Sequence, residues 1–344
     1  MRRCVMFVKY LLTGATGFLG RTVCEKLIDG GAEVTALVIK NDPLAGELPE
    51  GVNIICGDVC DDASLERFFC GADSETCVIH CAGIVSVASK PGASLYRVNV
   101  GGTNNIIRCC ERSSVGKLVF VSSVHAIPEK PKGTKMTEDA ELFPDKVQGG
   151  YAKSKAIATS LVFDAAKRGL NASVVFPSGI IGPGDRSKGS ITNMLLSFIK
   201  GKLPFAVKGG YDFVDVRDVA AGIIACANKG VRGQGYILSG YYASVRSILD
   251  AAQTALDVKR RVIYLPILLA KLAAPFCERR SLRKHRPLYL TPYSIAVLDS
   301  NAEFSRRKAE TVFGYSPRSV ETSINDAVVW LKKTAGFAGV SRRI

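Results

Sequence analysis

The chain has 344 residues, of which 47% are hydrophobic and 22% are charged, and its formal net charge is +15. This length permits one large core, or a core with a smaller appended domain, and the composition excludes a disordered chain. No apolar run reaches the roughly 18 residues that a membrane-spanning helix needs, so no span is expected.

In the first half of the chain, short apolar runs alternate with segments of helical periodicity. Runs rich in Val and Ile that are separated by helices form parallel strands joined by right-handed crossovers. The predicted fold class is therefore α/β, with a doubly wound parallel sheet of the Rossmann type. Strands are expected at 8–13, 33–39, 52–58, 76–83, 118–123 and 171–179, and helices at 18–29, near 95–113 and near 151–168.

The second half is less regular. Helices are expected near 190–200, at 218–230 and at 245–256, and a short strand pair brackets 205–216. No low-complexity linker separates the two halves, so a substrate-binding part must be interleaved with the sheet rather than hinged to it. We predict a Rossmann domain at 1–177 to which 205–240 returns, a smaller substrate-binding part at 178–204 and 241–335, and a tail at 336–344.

A glycine motif, G-x-x-G-x-x-G, follows the first predicted strand and begins the first predicted helix. Gly14 permits a tight turn, Gly17 lets the backbone approach a phosphate, and Gly20 lets the helix pack on the sheet. The helix N-terminus adds unpaired N–H donors and the positive end of its dipole. This order of elements predicts a site for the pyrophosphate of NAD or NADP. The residues assigned to it are Gly14, Thr16, Gly17, Phe18, Leu19 and Gly20.

The end of the second strand indicates which dinucleotide is bound. NAD-binding sites usually place an acid there for the ribose hydroxyls, but residues 38–41 contain none, and the first acid is Asp42. Lys40, helped by Arg21, would instead meet the 2′-phosphate of NADP. We therefore favour NADP slightly over NAD. The alternative is that Lys40 is a solvated loop residue.

Further cofactor contacts are expected where the third and fourth strands end. Asp58 and Val59 close the third apolar run and would lie near the adenine. Cys81, Ala82 and Gly83 close the fourth, where small residues would let the cofactor lie against the backbone. Ordinary packing at strand ends is the alternative for these positions.

Tyr151 and Lys155 are four residues apart, which places both side chains on one face of a helix. A free Tyr has a pKa near 10, so a neighbouring ammonium group would be needed to favour the phenolate. Ser123 closes the preceding strand and can donate to a substrate oxygen. The three residues predict hydride transfer between nicotinamide and a carbonyl/alcohol pair, with Tyr151 exchanging the proton.

Taken together, these motifs resemble those of the extended short-chain dehydrogenase/reductase superfamily, which is epimerase/dehydratase-like, over nearly the whole chain. The resemblance implies that Ser123, Tyr151 and Lys155 form a catalytic triad. The matching segments are TGATGFLG (13–20), GDV (57–59), HCAG (80–83), NVGGTNNII (99–107), FVSS (120–123), YAKSK (151–155), FPSGIIGPGD (176–185) and DFVDVRDVAAG (212–222).

Other roles follow from the same resemblance. Asn99 would brace the site and contact the cofactor, with a helix N-cap as the alternative for this residue. The nicotinamide pocket would be lined by Pro177, Ser178, Gly179 and Ile180.

Departures from the sugar-nucleotide pattern help to choose a branch of the superfamily. Sugar-nucleotide dehydratases carry an Asp-Glu acid/base pair where this chain has Val124 and His125, and related enzymes place a phosphate-binding Arg where it has Tyr211. Tyr211 is therefore predicted to contact a less charged substrate. His125 is assigned to the same substrate site, and the alternatives for it are an acid/base role or a His that merely lines the cleft or lies on the surface. We expect a steroid-like or flavonoid-like ketone or secondary alcohol, as in the dihydroflavonol reductase and 3β-hydroxysteroid dehydrogenase branch. The alternatives are a sugar-nucleotide epimerase with retained NAD and a non-catalytic NAD(P)-binding regulatory protein.

Residues 262–277 are almost wholly apolar, and a basic cluster follows at 279–286. The segment is too short to span a bilayer. It predicts a core helix, a lid over an apolar substrate, or a helix at the membrane surface whose basic flank meets anionic lipid.

The remaining expectations concern location and partners. The eleven Cys residues include no C-x-x-C pair and only three His residues accompany them, so we expect reduced thiols in a cytoplasmic protein and no metal site. Lys and Arg are spread along the chain without a nucleic-acid-binding motif, so a solvated basic surface is expected rather than a nucleic-acid partner. We also expect a homodimer.

Overall fold

The computed structural model describes residues 7–90, 92–139, 141–284, 288 and 290–334. The predicted tail at 336–344 and part of the basic cluster at 279–286 lie outside the described residues. The centre of the molecule is a parallel sheet of seven strands. Numbered in chain order, they are β1 (Lys9–Thr13), β2 (Glu33–Val38), β3 (Val52–Cys56), β4 (Thr76–His80), β5 (Lys117–Val121), β6 (Ala172–Pro177) and β10 (Gly235–Leu238).

The strand order is β10-β6-β5-β4-β1-β2-β3, which is the doubly wound α/β arrangement that the sequence predicts. The direction of winding reverses between β1 and β4, where Thr13 is paired with His80. A sheet of this kind binds its ligand in the crevice outside the carboxyl ends of the strands at such a reversal. The glycine motif begins directly after Thr13, so the fold places it at this crevice.

Alternate residues of the strands face two separate cores. In β5, Leu118 and Phe120 belong to one hydrophobic cluster, whereas Val119 and Val121 belong to the other. This follows from the two-residue period of a strand, and it explains why the buried strands read as continuous apolar runs. The helices of the first half are α1 (Phe18–Asp29), α2 (Asp62–Phe68), α3 (Ala93–Tyr96), α4 (Thr103–Arg112) and α5 (Gly150–Arg168). Later in the chain come α7 (Val216–Lys229), α11 (Arg307–Phe313) and α12 (Val320–Thr334).

The remaining elements lie after β6. A second sheet has the order β11-β9-β7, and a two-stranded sheet joins β12 to β8. The segment 205–240 also supplies β10 to the central sheet and α7, which packs on α1. These elements are β7 (Gly179–Ile181), β8 (Phe205–Val207), β9 (Gly210–Asp215), β11 (Tyr241–Ser244), β12 (Ile263–Leu265), α6 (Ser190–Ile199), α8 (Val245–Leu256), α9 (Ile267–Arg283) and α10 (Pro292–Asp299).

Several predicted strands are too long at their carboxyl ends. The strand expected at 52–58 ends at Cys56, that at 76–83 ends at His80, and that at 118–123 ends at Val121. The strand expected at 171–179 is interrupted at Ser178 and continues in the second sheet. The first residue after each of these three strands still donates its amide to the neighbouring strand, Gly57 to Val38, Cys81 to Thr13 and Ser122 to Val175, and the regular pairing stops there.

The helix expected near 95–113 is also divided. Residues 97–102 form a π-helical turn between α3 and α4. A π-helical turn widens the backbone locally and is common at functional sites. Among the described residues, no helix combines the length and the apolarity that crossing a bilayer requires.

Candidate active site

The glycine loop has the shape that a pyrophosphate requires. Gly14 has φ of +72°, and an ideal Cβ at this position would lie 2.6 Å from the backbone nitrogen of Ala82. A Cβ at Gly20 would overlap the carbonyl oxygen of Gly14. The N-cap of α1 is Gly17, with no side-chain cap and no acid in the first turn, so the N-terminal N–H groups remain for an anion. Thr16 precedes this turn, and Phe18 and Leu19 begin α1. The loop therefore fits the dinucleotide that the sequence predicts.

Behind the loop, a chain of hydrogen bonds connects β1, β4 and α4. The amide of Ala82 donates to Thr13 Oγ1 at 3.2 Å, and this oxygen lies 2.6 Å from His80 Nδ1. On the other side, His80 Nε2 lies 3.0 Å from Thr103 Oγ1, which donates to the Asn99 carbonyl. Every donor and acceptor in this chain of hydrogen bonds has a partner when His80 is neutral and carries its proton on Nε2. Burial, with a smaller effect of nearby Lys155, lowers the His80 pKa to about 3, in agreement with this state.

Asn99 lies in the π-helical turn and is buried. Its Oδ1 accepts from the amide of Ile84 at 2.7 Å, and its Nδ2 donates to the Ile84 carbonyl and to Ser154 Oγ, both at 3.0 Å. The alternative of a helix N-cap is wrong, because the N-cap of α4 is Gly102. Asn99 instead holds the segment after Gly83 against α5, which is the bracing position expected from the resemblance.

Ser123 and Tyr151 come together beside the carboxyl end of β5. Tyr151 lies in the first turn of α5 and is 8% exposed, and Ser123 is 7% exposed. Burial raises the pKa of Tyr151 to about 12, and a hydrogen bond with the Ser123 side chain opposes this shift. Ser123 also accepts from the amide of His125 at 3.2 Å, which fixes the turn that follows β5.

Lys155 lies one turn after Tyr151 on α5. Its Nζ donates to the carbonyl of Val121 at 2.8 Å and lies 4.9 Å from the centre of the Phe120 ring. An ideal Cβ at Gly83 would be 3.2 Å from the same Nζ. The amine therefore faces the edge of the sheet formed by the glycine loop and the ends of β3, β4 and β6, which we call the cofactor edge. Burial lowers the pKa of Lys155 to about 8.

In the protein alone, burial determines the direction in which the Tyr151 pKa shifts. The pKa of Tyr151 is raised by burial, and the opposing group is Ser123 rather than the lysine. A desolvated phenol keeps its proton because the charged form loses more hydration than the neutral form. At neutral pH Tyr151 is therefore a proton donor.

A cavity of about 380 Å³ adjoins this group. His125 and Tyr211 form one wall, with their rings stacked at 5.4 Å and an interplanar angle of 6°. The Tyr211 hydroxyl lies 3.5 Å from His125 Nδ1, and the His125 ring is 6.2 Å from the ring of Tyr151. Burial lowers the His125 pKa to about 4, so the ring is neutral at physiological pH. The other apolar and aromatic side chains of the lining include Ile127, Met136, Val147, Tyr293, Val297 and Phe304.

Tyr293, which the sequence reading missed, enters this cavity from α10. Its hydroxyl is buried and has no hydrogen-bond partner within the described residues. Its ring is 6.0 Å from that of His125, and burial, together with Tyr151, raises its pKa. The sequence around Tyr293 shows only a helix start after Thr291, so nothing local distinguishes it from a surface residue.

On the predicted adenosine side of the site, one of the predicted residues is free to meet a ligand and another is already paired. Lys40 is exposed in the turn after β2, whereas Arg21 is paired with Glu25 at 3.0 Å and Glu47 at 2.9 Å. Asp42, which the cofactor prediction set aside, accepts from Thr16 Oγ1 at 2.7 Å. The acid nearest the glycine loop is thus engaged by the loop itself, and the arginine expected to assist Lys40 is engaged elsewhere.

The other predicted cofactor residues lie at the same edge of the sheet. Asp58 follows β3 and accepts from the amide of Cys60 at 2.9 Å. Val59 is buried under Gly102, where an ideal Cβ would lie 2.6 Å from its side chain. Cys81, Ala82 and Gly83 follow β4, Pro177 ends β6, Ser178 joins the two sheets, and Gly179 and Ile180 begin β7.

Comparison with known proteins agrees with this geometry. The chain is 29% identical to sterol demethylase protein B of Methylococcus capsulatus, covering 94% of this chain and 98% of that protein. It is 29% identical to a putative dihydroflavonol 4-reductase of Synechocystis, covering 94% of each. It is 28% identical to 3 beta-hydroxysteroid dehydrogenase type 7 of Homo sapiens, covering 96% of this chain and 97% of that protein.

A solved structure supports the fold. The Bordetella bronchiseptica enzyme WbmH, in complex with NAD+, superposes with a TM-score of 0.76 at 17% identity, covering 95% of this chain and 99% of that chain. The sequence model of the NAD dependent epimerase/dehydratase family matches residues 10–238. The prediction of a nicotinamide-dependent enzyme with steroid dehydrogenase-like relatives is therefore confirmed. The chain belongs to the NAD dependent epimerase/dehydratase family.

Proposed function

We propose that the protein is an oxidoreductase that moves hydride between a nicotinamide cofactor and a ketone or secondary alcohol of an apolar cyclic substrate, steroid-like or flavonoid-like. The observation that carries this proposal is the cavity beside Tyr151. Its described lining contains no arginine, and its fixed charges come from Glu129, Asp145 and Lys146. A nucleoside diphosphate would meet more carboxylates than amines there, which disfavours a sugar nucleotide.

The reacting oxygen of the substrate lies between Tyr151 and Ser123 in this proposal. In reduction, Tyr151 Oη gives its proton to the carbonyl oxygen while the carbonyl carbon gains hydride, so the C=O bond becomes CH–OH. The raised pKa of Tyr151 suits this direction, because the group is a proton donor at neutral pH. Ser123 Oγ donates a second hydrogen bond to the same oxygen and stabilises the charge that develops on it.

The cofactor supplies or accepts the hydride when bound. Gly14, Gly17 and the N-terminus of α1 would hold its pyrophosphate, and Lys155 Nζ would donate to the hydroxyls of the nicotinamide ribose. Asn99 contributes indirectly, since it fixes the segment after Gly83. The turn 177–180 would lie against the nicotinamide.

Of the two cofactors, we propose a slight preference for NADP. Lys40 is exposed after β2 and forms no ion pair within the described residues. The nearby acids are engaged, Asp42 by Thr16 and Glu47 by Arg21. An unpaired cation with engaged acids beside it suits a 2′-phosphate better than ribose hydroxyls.

His125 and Tyr211 form the wall against which we propose that the substrate lies. Their stacked rings present flat, uncharged surface, since the lowered pKa keeps His125 neutral. A polycyclic substrate would bury apolar area against this wall and against Phe304. The names of relatives that act on sterols and dihydroflavonols agree with a substrate of this shape.

A substrate panel tests the proposal. The purified protein is offered a 3-ketosteroid, a dihydroflavonol and a UDP-sugar with NADPH or NADH, and both nicotinamide absorbance and products are followed. We expect reduction of a polycyclic ketone. Protein that retains NAD through purification and equilibrates the UDP-sugar, without net change in nicotinamide, would overturn the proposal in favour of an epimerase. Cofactor binding without turnover of any carbonyl substrate would favour a regulatory protein.

A further inference from the structure

The surface of α9 exposes large apolar side chains. Leu268 is 67% exposed, Leu272 is 73% exposed and Phe276 is 70% exposed. These positions are four residues apart, so they form one stripe along the helix. Exposed apolar residues are ordinary when they are scattered, whereas a contiguous stripe marks an interaction site.

The inward side of the same helix is made of small or engaged residues. Ala270 and Ala274 are buried against Ile295 of α10 in a small cluster. Glu278, the acid of α9, also points inward, where it accepts from the amide and hydroxyl of Ser89 at 2.8 and 2.7 Å. Only small side chains of α9 therefore serve a core, while its large apolar side chains remain exposed, so a core helix does not account for the apolar stripe.

The lid alternative does not agree with the geometry either. The cavity wall on this side is built by Tyr293, Ala296 and Val297 of α10, and no described residue of α9 reaches the lining. The apolar stripe of α9 faces away from the cavity, with α10 between them.

The outer surface changes from apolar to basic along the helix. Arg279 and Arg283 lie seven residues, about two turns, beyond Leu272 and Phe276, which places them in the same stripe. Arg279, Arg280, Arg283 and Lys284 are exposed, and none takes part in an ion pair within the described residues. The one acid of the helix faces inward, so the outer surface carries only positive charge.

Exposed apolar residues continue next to the start of α9. Phe205 and Ile263 are paired in the β8–β12 sheet and are 53% and 59% exposed. Lys259 and Arg261 are exposed immediately before β12. A surface that combines exposed Leu and Phe with unpaired Arg and Lys is complementary to a bilayer with anionic headgroups.

We propose that the outer face of α9 docks on an anionic membrane surface. Leu268, Leu272 and Phe276 would enter the boundary between headgroups and acyl chains, while Arg279 and Arg283 contact lipid phosphates. The helix has 17 residues and its last turns are charged, so it would lie on the bilayer rather than span it. An apolar substrate held in the membrane would then be one helix away from the cavity. This inference goes beyond the proposed function, and lipid binding itself needs no substrate.

Vesicle co-sedimentation of the full chain tests the proposal. We expect binding to phosphatidylcholine vesicles that contain phosphatidylglycerol, weaker binding to phosphatidylcholine alone, and release by high salt. Leu272→Ser with Phe276→Ser should weaken binding by about tenfold or more, since each removes a large inserted group. Arg279→Gln, Arg280→Gln and Arg283→Gln together should abolish the preference for anionic vesicles.

Matched controls use residues on other surfaces. Val231→Ser with Tyr242→Ser removes comparable exposed apolar groups, and Lys229→Gln, Arg232→Gln and Lys333→Gln remove the same charge. Both sets should bind vesicles like the unaltered protein. Nicotinamide binding, measured by fluorescence, should be unchanged in every variant and serves as the test of folding.

Other results would overturn the membrane proposal. One is failure of the unaltered protein to bind anionic vesicles although it binds nicotinamide. Another is a Leu272/Phe276 variant that binds vesicles as well as its control. If that variant instead converts a dimer to a monomer in size-exclusion chromatography without changing vesicle binding, the stripe is a contact between copies of the chain. Each result is independent of the substrate panel, so the two proposals fail separately.

Discussion

The cofactor edge and the substrate cavity lie beside each other but are built differently. At the cofactor edge, the backbone sets the shape, because Gly14 and Gly20 leave no room for side chains. In the cavity, side chains from distant parts of the chain meet, such as His125, Tyr211 and Tyr293. The first kind of site tolerates almost no substitution at its glycines. The second kind of site can be adapted to another ligand by substitution of single side chains, and the sheet stays unaltered.

The largest effect is expected at Tyr151, where the two regions meet. Tyr151→Phe removes the proton donor but keeps the ring, so turnover should fall by about 10²–10⁴-fold. Cofactor affinity should change little, because the glycine loop and Lys155 are unaltered. Single-turnover kinetics and nicotinamide fluorescence separate these two effects.

Tyr242→Phe is the matched control for this variant. Tyr242 is 62% exposed, so the loss of its hydroxyl should leave turnover unchanged. Full turnover in Tyr151→Phe would show that another group exchanges the proton.

The next largest effect is expected at Gly14. Gly14→Ala places a Cβ 2.6 Å from the Ala82 nitrogen at a φ that L-residues rarely adopt. The loop must shift, and cofactor affinity should fall about 100-fold, with a smaller loss of thermal stability. Gly46→Ala is the control, since a Cβ there meets nothing within 4 Å. Equal affinities for the two variants would contradict the view that backbone shape determines cofactor binding.

This comparison also explains which features could be predicted from the sequence. The strand, glycine loop and helix are contiguous, and the four-residue spacing of Tyr151 and Lys155 fixes their common face, so local pattern was enough. The doubly wound sheet followed from the alternation of elements.

Other features depend on contacts between distant residues. Tyr293 could not be found because its burial depends on packing against Gly149, more than a hundred residues earlier. The chain of hydrogen bonds through His80 could not be predicted for the same reason, because Thr13 and Thr103 belong to other elements. The raised pKa of Tyr151 could not be predicted either, because it is caused mainly by burial, and burial of that extent is a tertiary property.

Tyr293 sharpens the comparison because its side chain lines the cavity, while its buried hydroxyl has no hydrogen-bond partner among the described residues. Tyr293→Phe should lower kcat/KM about tenfold for a substrate that offers a second oxygen, which is the worth of one hydrogen bond. The same change should raise the free energy of unfolding by about 1 kcal/mol, because it removes a buried hydroxyl without a described partner.

Tyr315→Phe provides the control from the other core. Its hydroxyl is likewise buried without a hydrogen-bond partner among the described residues, but it lies away from the cavity. This variant should gain stability without losing activity. Loss of stability and retention of kcat/KM in Tyr293→Phe would mean that its hydroxyl is satisfied within the protein.

A smaller effect is expected from pH. The pKa of Lys155 is lowered to about 8, whereas that of Tyr151 is raised to about 12 and that of His125 is lowered to about 4. Between neutral pH and about pH 10, Lys155 is therefore the residue of this set that changes charge. As pH rises through about 8, the ammonium is lost and cofactor affinity should fall by a few fold.

Deprotonation of Lys155 lowers cofactor affinity, but it should increase the stability of the fold. Its folded pKa lies below its ordinary value, so the folded state releases the proton first, and the unfolding free energy should rise with pH above about 8. Titration calorimetry and chemical unfolding across this range measure the two trends. Lys155→Met should remove both steps, and their persistence in that variant would assign them to another residue.

The smallest effect is expected at Lys40, because it is exposed. An exposed ion pair is worth about 1 kcal/mol or less, so Lys40→Asp should change the ratio of NADP to NAD affinities by about fivefold at most. The change should shrink at high salt, since water screens the pair. Lys202→Asp makes the same charge change in another exposed loop and should leave the ratio unaltered. If both variants shift the ratio equally, the preference reflects the positive charge of the whole protein. If neither does, Lys40 does not determine cofactor choice, and the glycine loop together with the Asp42 carboxylate does.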